Sequence, residues 1–107
     1  MQGCALKKLT AIIKPFKIEA VLQRLPENGV SAVYVSEVRG YGRQKGQLEL
    51  YKGEEYELTF LPKARVEVYC EDEALPAVEK ALQEGARTGR IGDGKVMIAP
   101  VEQSEHI

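Results

Sequence analysis

RQKGQLELYKGEEYELTFLPK, residues 43 to 63, separates two strand-like runs yet shows neither apolar periodicity nor a turn dipeptide. A compact domain rarely carries a structureless connection longer than about 12–15 residues unless that segment has a function of its own. The runs on either side of it decide the fold. Downstream, Ala64, Val66, Val68 and Cys70 alternate with Lys63, Arg65, Glu67 and Tyr69, the period-two spacing of a strand with one core face and one polar face. Upstream, VSAVYVSEV at 30–38 is β-branched and apolar on both sides, the pattern of a strand packed on two faces.

Working outward, LTAIIK at 9–14 is a short β-branched run bounded by Pro15, which predicts a strand followed by the first turn of a helix. Ile18, Val21, Leu22 and Leu25 then form one apolar helical face, with Pro26 at its last turn and Asn28-Gly29 as a stop signal. Beyond the 63–70 strand, Asp72 is placed to cap a second helix in which Leu75, Val78 and Leu82 face inward, and Gly89 follows its end. VMIAPV at 96–101 supplies a last short strand. The order βαββαβ predicts an α+β fold, a ferredoxin-like sandwich with an antiparallel sheet, both helices on one face and a long loop between strands 2 and 3. No repeat or linker divides residues 1–107, so they form a single domain. The other face of the sheet then needs cover, and three sheets packed around an axis, a homotrimer, would provide it.

Composition excludes several classes of function. With 15 basic and 16 acidic residues there is no field to attract a phosphate backbone, and the five tyrosines and two phenylalanines form no basic-aromatic stripe, so nucleic acid is not an expected partner. No apolar run approaches the ~20 residues of a membrane span, and MQGCALKK lacks the apolar stretch of a secretory signal. A cytoplasmic protein that does not insert in membranes is expected. Cys4 and Cys70 have no metal-ligand or redox spacing, and Cys70 is expected in a core or interface.

Two glycine-rich elements carry the candidate chemistry. In TGRIGDGK at 88–95, glycines on either side of Asp93 let backbone N–H groups converge on an anion, and Lys95 adds a point charge. In GYGRQKG at 40–46, glycines permit close approach, Arg43 and Lys45 can neutralise a polyphosphate, and Gln44 offers an oxygen to a hard cation such as Mg2+. Each element alone is equally an ordinary turn or a solvated loop base. Together, each beside a strand, they point to a nucleotide.

AIIKPFK at 11–17, GYGRQKG, ELYKG with Tyr56 three residues on, FLPK at 60–63 and ARTGRIGDGK at 86–95 stand in an order and spacing that resembles the PII signal-transduction proteins across nearly the whole chain. The resemblance implies a trimeric nitrogen-regulation sensor, not an enzyme, that binds ATP, ADP or AMP between subunits. It assigns Ile12 to the base, and Gly40, Gly42, Arg43, Gln44, Glu67, Gly92, Asp93, Gly94 and Lys95 to base, ribose and phosphates. It further implies that Gln44 and Lys63 hold 2-oxoglutarate together with ATP and Mg2+, with Gln44 on the metal. The loop at 41–59, the family's T-loop, would present Tyr51, Lys52, Glu54 and Tyr56 to target proteins such as an ammonium transporter or an enzyme of nitrogen or carbon metabolism. Tyr56 aligns with a tyrosine that is nucleotidylylated in part of the family.

The chain also departs from the pattern. Glu54 replaces a small residue, Met97 an aromatic, and Tyr34 a threonine near the adenine. His106 takes the place of the first of two tail arginines that reach phosphates, and the second would fall beyond Ile107. Loss of those cations is expected to weaken ATP more than ADP or AMP. Two alternatives remain at this point: a PII-like sensor of another small anion that serves a transporter or carbon assimilation, and a small ferredoxin-like phosphatase-type enzyme.

Overall fold

The computed structural model describes residues 5–41, 60–90 and 92–107, with backbone alone at Tyr41 and Phe60. Strand β1 (Leu6–Ile13) runs into a 3₁₀ turn (Pro15–Lys17) and helix α1 (Ile18–Arg24). β2 (Val30–Tyr41) and β3 (Phe60–Glu71) follow, then a second 3₁₀ turn (Asp72–Ala74), helix α2 (Leu75–Ala86) and β4 (Gly94–Val101). All pairings are antiparallel in the order β2-β3-β1-β4. This is the predicted ferredoxin-like βαββαβ sandwich.

Proline sets several boundaries. Lys14, ahead of Pro15, is extended, and its carbonyl accepts the Lys17 N–H at 2.9 Å. Leu25, ahead of Pro26, is likewise extended and ends α1, because the proline ring excludes the helical conformation from the residue before it.

The core forms on one face of the two central strands. Leu9, Ala11 and Ile13 of β1 and Ala64, Val66, Val68 and Cys70 of β3 are buried against Val21, Val78 and Leu82 of the helices. Cys70 is a free, buried thiol, as its place in the alternation requires, and burial pushes its pKa up. Cys4 lies outside the described residues.

The structure corrects three expectations. Asp72 caps no helix: its carboxylate accepts a bond from Lys7 Nζ at 2.6 Å, and α2 starts without a side-chain cap. A lysine on the neighbouring strand supplies a full charge, which outcompetes a backbone N–H. Leu22 is 37% exposed, because α1 docks through Val21, and the next residue on a helix points about 100° away. Residues 60–63, the end of the 43–63 stretch read as structureless, belong to β3, whose ladder with β2 continues to Tyr41 and Phe60. β2 is an edge strand of the single chain, and Tyr34 and Val35 are 61% and 43% exposed there.

The helices meet at Gly85. A Cβ there would sit 2.7 Å from Val21 Cα and 3.0 Å from Val21 N, contacts with backbone that no rotamer change relieves. Gly85→Ala would gain about 1 kcal/mol in helix propensity but overpack the helix crossing, which typically costs about 1–3 kcal/mol. A net loss of stability is expected, and a urea midpoint at or above that of the parent would refute this account of the crossing.

Candidate functional site

The open face of the sheet has the opposite parity to the core. Register sets Tyr34 opposite Glu67, Glu67 opposite Thr10, and Thr10 opposite Met97, in one cross-strand row. The next row runs Ser36, Arg65, Ile12 and Lys95. Arg65 Nε lies 3.8 Å from Glu67 Oε2, and Tyr34 meets Tyr69 edge to face with ring centroids 6.0 Å apart. Tyr34 and Met97, two of the four departures from the family pattern, therefore share a row with Glu67.

One end of this sheet gathers most of the expected site. The C-terminal end of β1 brings Ile12, the start of β4 brings Gly94 and Lys95, and the β2–β3 ladder brings Gly40 and Lys63. A Cβ on Gly40 would lie 3.7 Å from Lys63 Cγ, and Lys63 Nζ donates to the Gly92 carbonyl at 3.1 Å. Glu67 lies further along the same face. Gly42, Arg43, Gln44, Tyr51, Lys52, Glu54 and Tyr56 fall outside the described residues.

The connection between α2 and β4 is built around Asp93. The backbone N–H groups of Thr88 and Gly89 donate to Asp93 Oδ2 at 2.6 and 2.8 Å, and the Thr88 hydroxyl donates to Oδ1. Lys14 Nζ reaches Oδ1 at 3.2 Å and Thr88 Oγ1 at 3.5 Å, while the Arg90 N–H donates to Thr88 Oγ1 at 3.2 Å. At residues 88 and 89 the backbone N–H groups thus converge on the protein's own carboxylate, not on a space left for an anion. Gly92 at φ +86° turns the chain to make this possible. Gly94 answers a different need: its φ is +137°, and a Cβ would come within 2.2 Å of the Ile12 carbonyl oxygen.

Lys14 and Thr88 belong to this hub although the motifs assign neither of them a role. AIIKPFK contained the only available signal for Lys14, a lysine held extended before proline at a strand end. An ion pair of this partial exposure adds little stability by itself. Orientation of the loop is its larger effect.

A cavity of about 240 Å³ lies beside this loop, lined by Ile13, Leu82, Gln83, Ala86, Arg87 and Val96 together with Asp93, Gly94 and Lys95. Ile13 belongs to the helix face of the sheet, whereas Ile12 and Glu67 belong to the open face. The cavity thus shares Asp93, Gly94 and Lys95 with the expected phosphate contacts, whereas the expected base contacts Ile12 and Glu67 do not line it.

The hydrogen bonds to Asp93, those from Thr88 foremost, hold its carboxyl well below the usual carboxylate range. A depressed folded-state pKa stabilises the native state above the unfolded value of about 3.9 and loses that contribution as pH falls through the folded value. The loop is therefore expected to stay clamped at pH 4, where ordinary carboxylates are half protonated. Carboxyl-carbon and amide NMR titration checks this, and an Asp93 midpoint at or above 4 would contradict the bonding described.

Comparison with known proteins gives the same architecture a family. The family described as "Nitrogen regulatory protein P-II" matches residues 6–107. Nitrogen regulatory protein P-II of Azospirillum brasilense is 50% identical over 98 residues, covering 92% of this chain and 88% of that protein. Its counterpart in Haemophilus influenzae is 47% identical over 102 residues, covering 95% and 91%. Among solved structures, the GlnK–ATP complex of B. subtilis superposes with a TM-score of 0.72 at 26% identity, covering 92% of this chain and 85% of that one. These relatives are non-enzymatic signalling proteins, which removes the phosphatase alternative. With the fold, the residue order at the open end of the sheet and the relatives all in agreement, the chain belongs to the nitrogen regulatory protein P-II family.

Proposed function

We propose that this signal-transduction regulator binds ATP, ADP or AMP in clefts between the subunits of a homotrimer and reports the ligand to target proteins through residues 41–59. The observation that carries the reading is the gathering of Ile12, Gly40, Lys63, Gly92, Gly94 and Lys95 at one end of an uncovered sheet face. Ile12 would meet the base, with Glu67 near base and ribose. The phosphates would lie against Gly92, Asp93, Gly94 and Lys95, completed by Gly42, Arg43 and Gln44. Tyr34 and Met97 leave apolar surface on that face, and cover by neighbouring subunits would bury it at a gain of roughly 25 cal/mol per Å². The ATP complex of the structural relative supports the choice of ligand.

Mg2+ would enter with the nucleotide and be held by phosphates, waters and the side-chain oxygen of Gln44. Bound there, it supplies a positive centre for an anionic ligand. 2-Oxoglutarate fits that arrangement with one carboxylate toward Lys63, whose ammonium already lies at the loop. Tyr51, Lys52, Glu54 and Tyr56 would contact a target such as an ammonium transporter or an enzyme of nitrogen or carbon metabolism, and Tyr56 is the candidate for nucleotidylylation. A soluble, cytoplasmic protein fits this role, and no helix among the described residues is long and apolar enough to cross a membrane.

Calorimetry with ATP, ADP and AMP, each with and without Mg2+ and 2-oxoglutarate, tests the ligand set. Lys95→Ala should remove one charged phosphate contact, worth about 1.5–3 kcal/mol, and weaken ATP roughly tenfold to 150-fold. Unchanged affinity would remove Lys95 from the site. 2-Oxoglutarate should bind only in the presence of Mg2+ and ATP; equal binding without the nucleotide would refute the bridged arrangement and favour a sensor of another anion.

A further inference from the structure

We infer that Lys14 is the positioning residue of the loop between α2 and β4: with Thr88 it holds the Asp93 carboxylate as a hub, and so tunes affinity for a phosphate chain that it does not itself touch. This rests on the nucleotide reading for its effect on affinity, although the hub itself is visible without any ligand.

Three observations carry it. The first is that the backbone of Lys14 is fixed before its side chain acts. It follows Ile13, the last paired residue of β1, precedes Pro15, stands at φ −69° and ψ 137°, and accepts the Lys17 N–H through its carbonyl. The pre-proline restriction and the turn remove most of the freedom that would otherwise oppose a fixed ion pair. The second is the bonding of its ammonium to both partners of the hub, Asp93 Oδ1 at 3.2 Å and Thr88 Oγ1 at 3.5 Å. The side chains of Lys14 and Asp93 are only 23% and 20% exposed. The third is what that carboxylate orders: the N–H groups of Thr88 and Gly89 end on it, and Gly92 and Gly94 follow with the left-handed turn and the close approach to Ile12.

Charge separates positioning from contact. The single positive charge of Lys14 is matched by the single negative charge of Asp93, which leaves Lys95 as the cation at the start of β4 available to an anion. Lys63 ties the same loop by a different bond, to the Gly92 carbonyl. Removing Lys14 would expose an uncompensated carboxylate next to the phosphates and free one end of the hub. Both effects weaken a charged ligand, and neither touches an uncharged nucleoside.

The experiment compares the parent with Lys14→Met, Lys14→Arg, Thr88→Val, Asp93→Asn and the Lys14→Met/Asp93→Asn double variant. Calorimetry with ATP and with adenosine is paired with amide hydrogen exchange of the ligand-free proteins. Lys14→Met should weaken ATP about tenfold, the loss of one charged hydrogen bond, and leave adenosine within about twofold, with partial rescue by Lys14→Arg. Thr88→Val should move ATP in the same direction. Exchange at Thr88 and Gly89 should accelerate in Lys14→Met. The double variant should bind ATP no more weakly than Asp93→Asn, because Lys14 acts through that carboxylate. Additive losses in the double variant would make Lys14 a direct phosphate ligand and overturn the proposal, as would unchanged ATP affinity in Lys14→Met. If the parent binds no adenine nucleotide, the nucleotide reading fails, and the exchange arm alone decides the hub: unchanged protection at Thr88 and Gly89 in folded Lys14→Met or Thr88→Val would overturn it.

Discussion

Antiparallel pairing of β1 with β3 is the constraint on which the molecule depends. Register sets Leu9 opposite Val68 and Ala11 opposite Val66, so two strands far apart in sequence present one continuous apolar surface to the helices. A slip of a single residue would turn every one of these side chains to the other face. The same ladder fixes the polar side: whatever holds Leu9 and Val68 inward also holds Thr10, Ile12, Arg65 and Glu67 outward. Core and candidate site are two consequences of one register.

Close backbone approaches tighten this frame at two points. Gly85 brings α2 onto the backbone of α1 at Val21, and Gly94 brings β4 onto the carbonyl of Ile12. In both places the need is for the absence of a side chain, and at Gly94 for a positive φ as well. Glycine at 94 therefore serves the sheet whatever ligand the neighbouring loop takes. Gly89 differs, since its φ is positive and a Cβ would meet nothing within 4 Å; there the requirement is conformational alone.

The open end of the sheet is organised by charge. Two lysines, one in β3 and one just past the end of β1, close on one connection, Lys63 on a backbone carbonyl and Lys14 on a carboxylate. Their geometry couples the start of β3, where the long segment rejoins the sheet, to the loop that would face the phosphates. A bound anion that draws on Lys63 would also alter what Gly92 experiences, and a two-way coupling of this kind is what a ligand-reporting protein needs. The apolar rim at Tyr34 and Met97 gives the same face a reason to be covered, which a single chain cannot satisfy.

The period-two alternation at 63–70, the β-branched run before Pro15 and the helical spacing around Val78 and Leu82 determined the α+β fold, because burial on one face is written directly in which residues are apolar. Motif order likewise identified the family. Local pattern could not determine whether Asp72 would cap a helix or pair with Lys7, nor whether the donors beside Asp93 would await an anion or close on its own carboxylate. The first outcome turns on a partner remote in sequence, since Lys7 is 65 residues from Asp72; in the second, Lys14, 79 residues from Asp93, joins the local donors Thr88 and Gly89. Only the tertiary structure places such groups within bonding distance, and where a full charge is in reach it displaces the local hydrogen bond that the sequence alone would suggest.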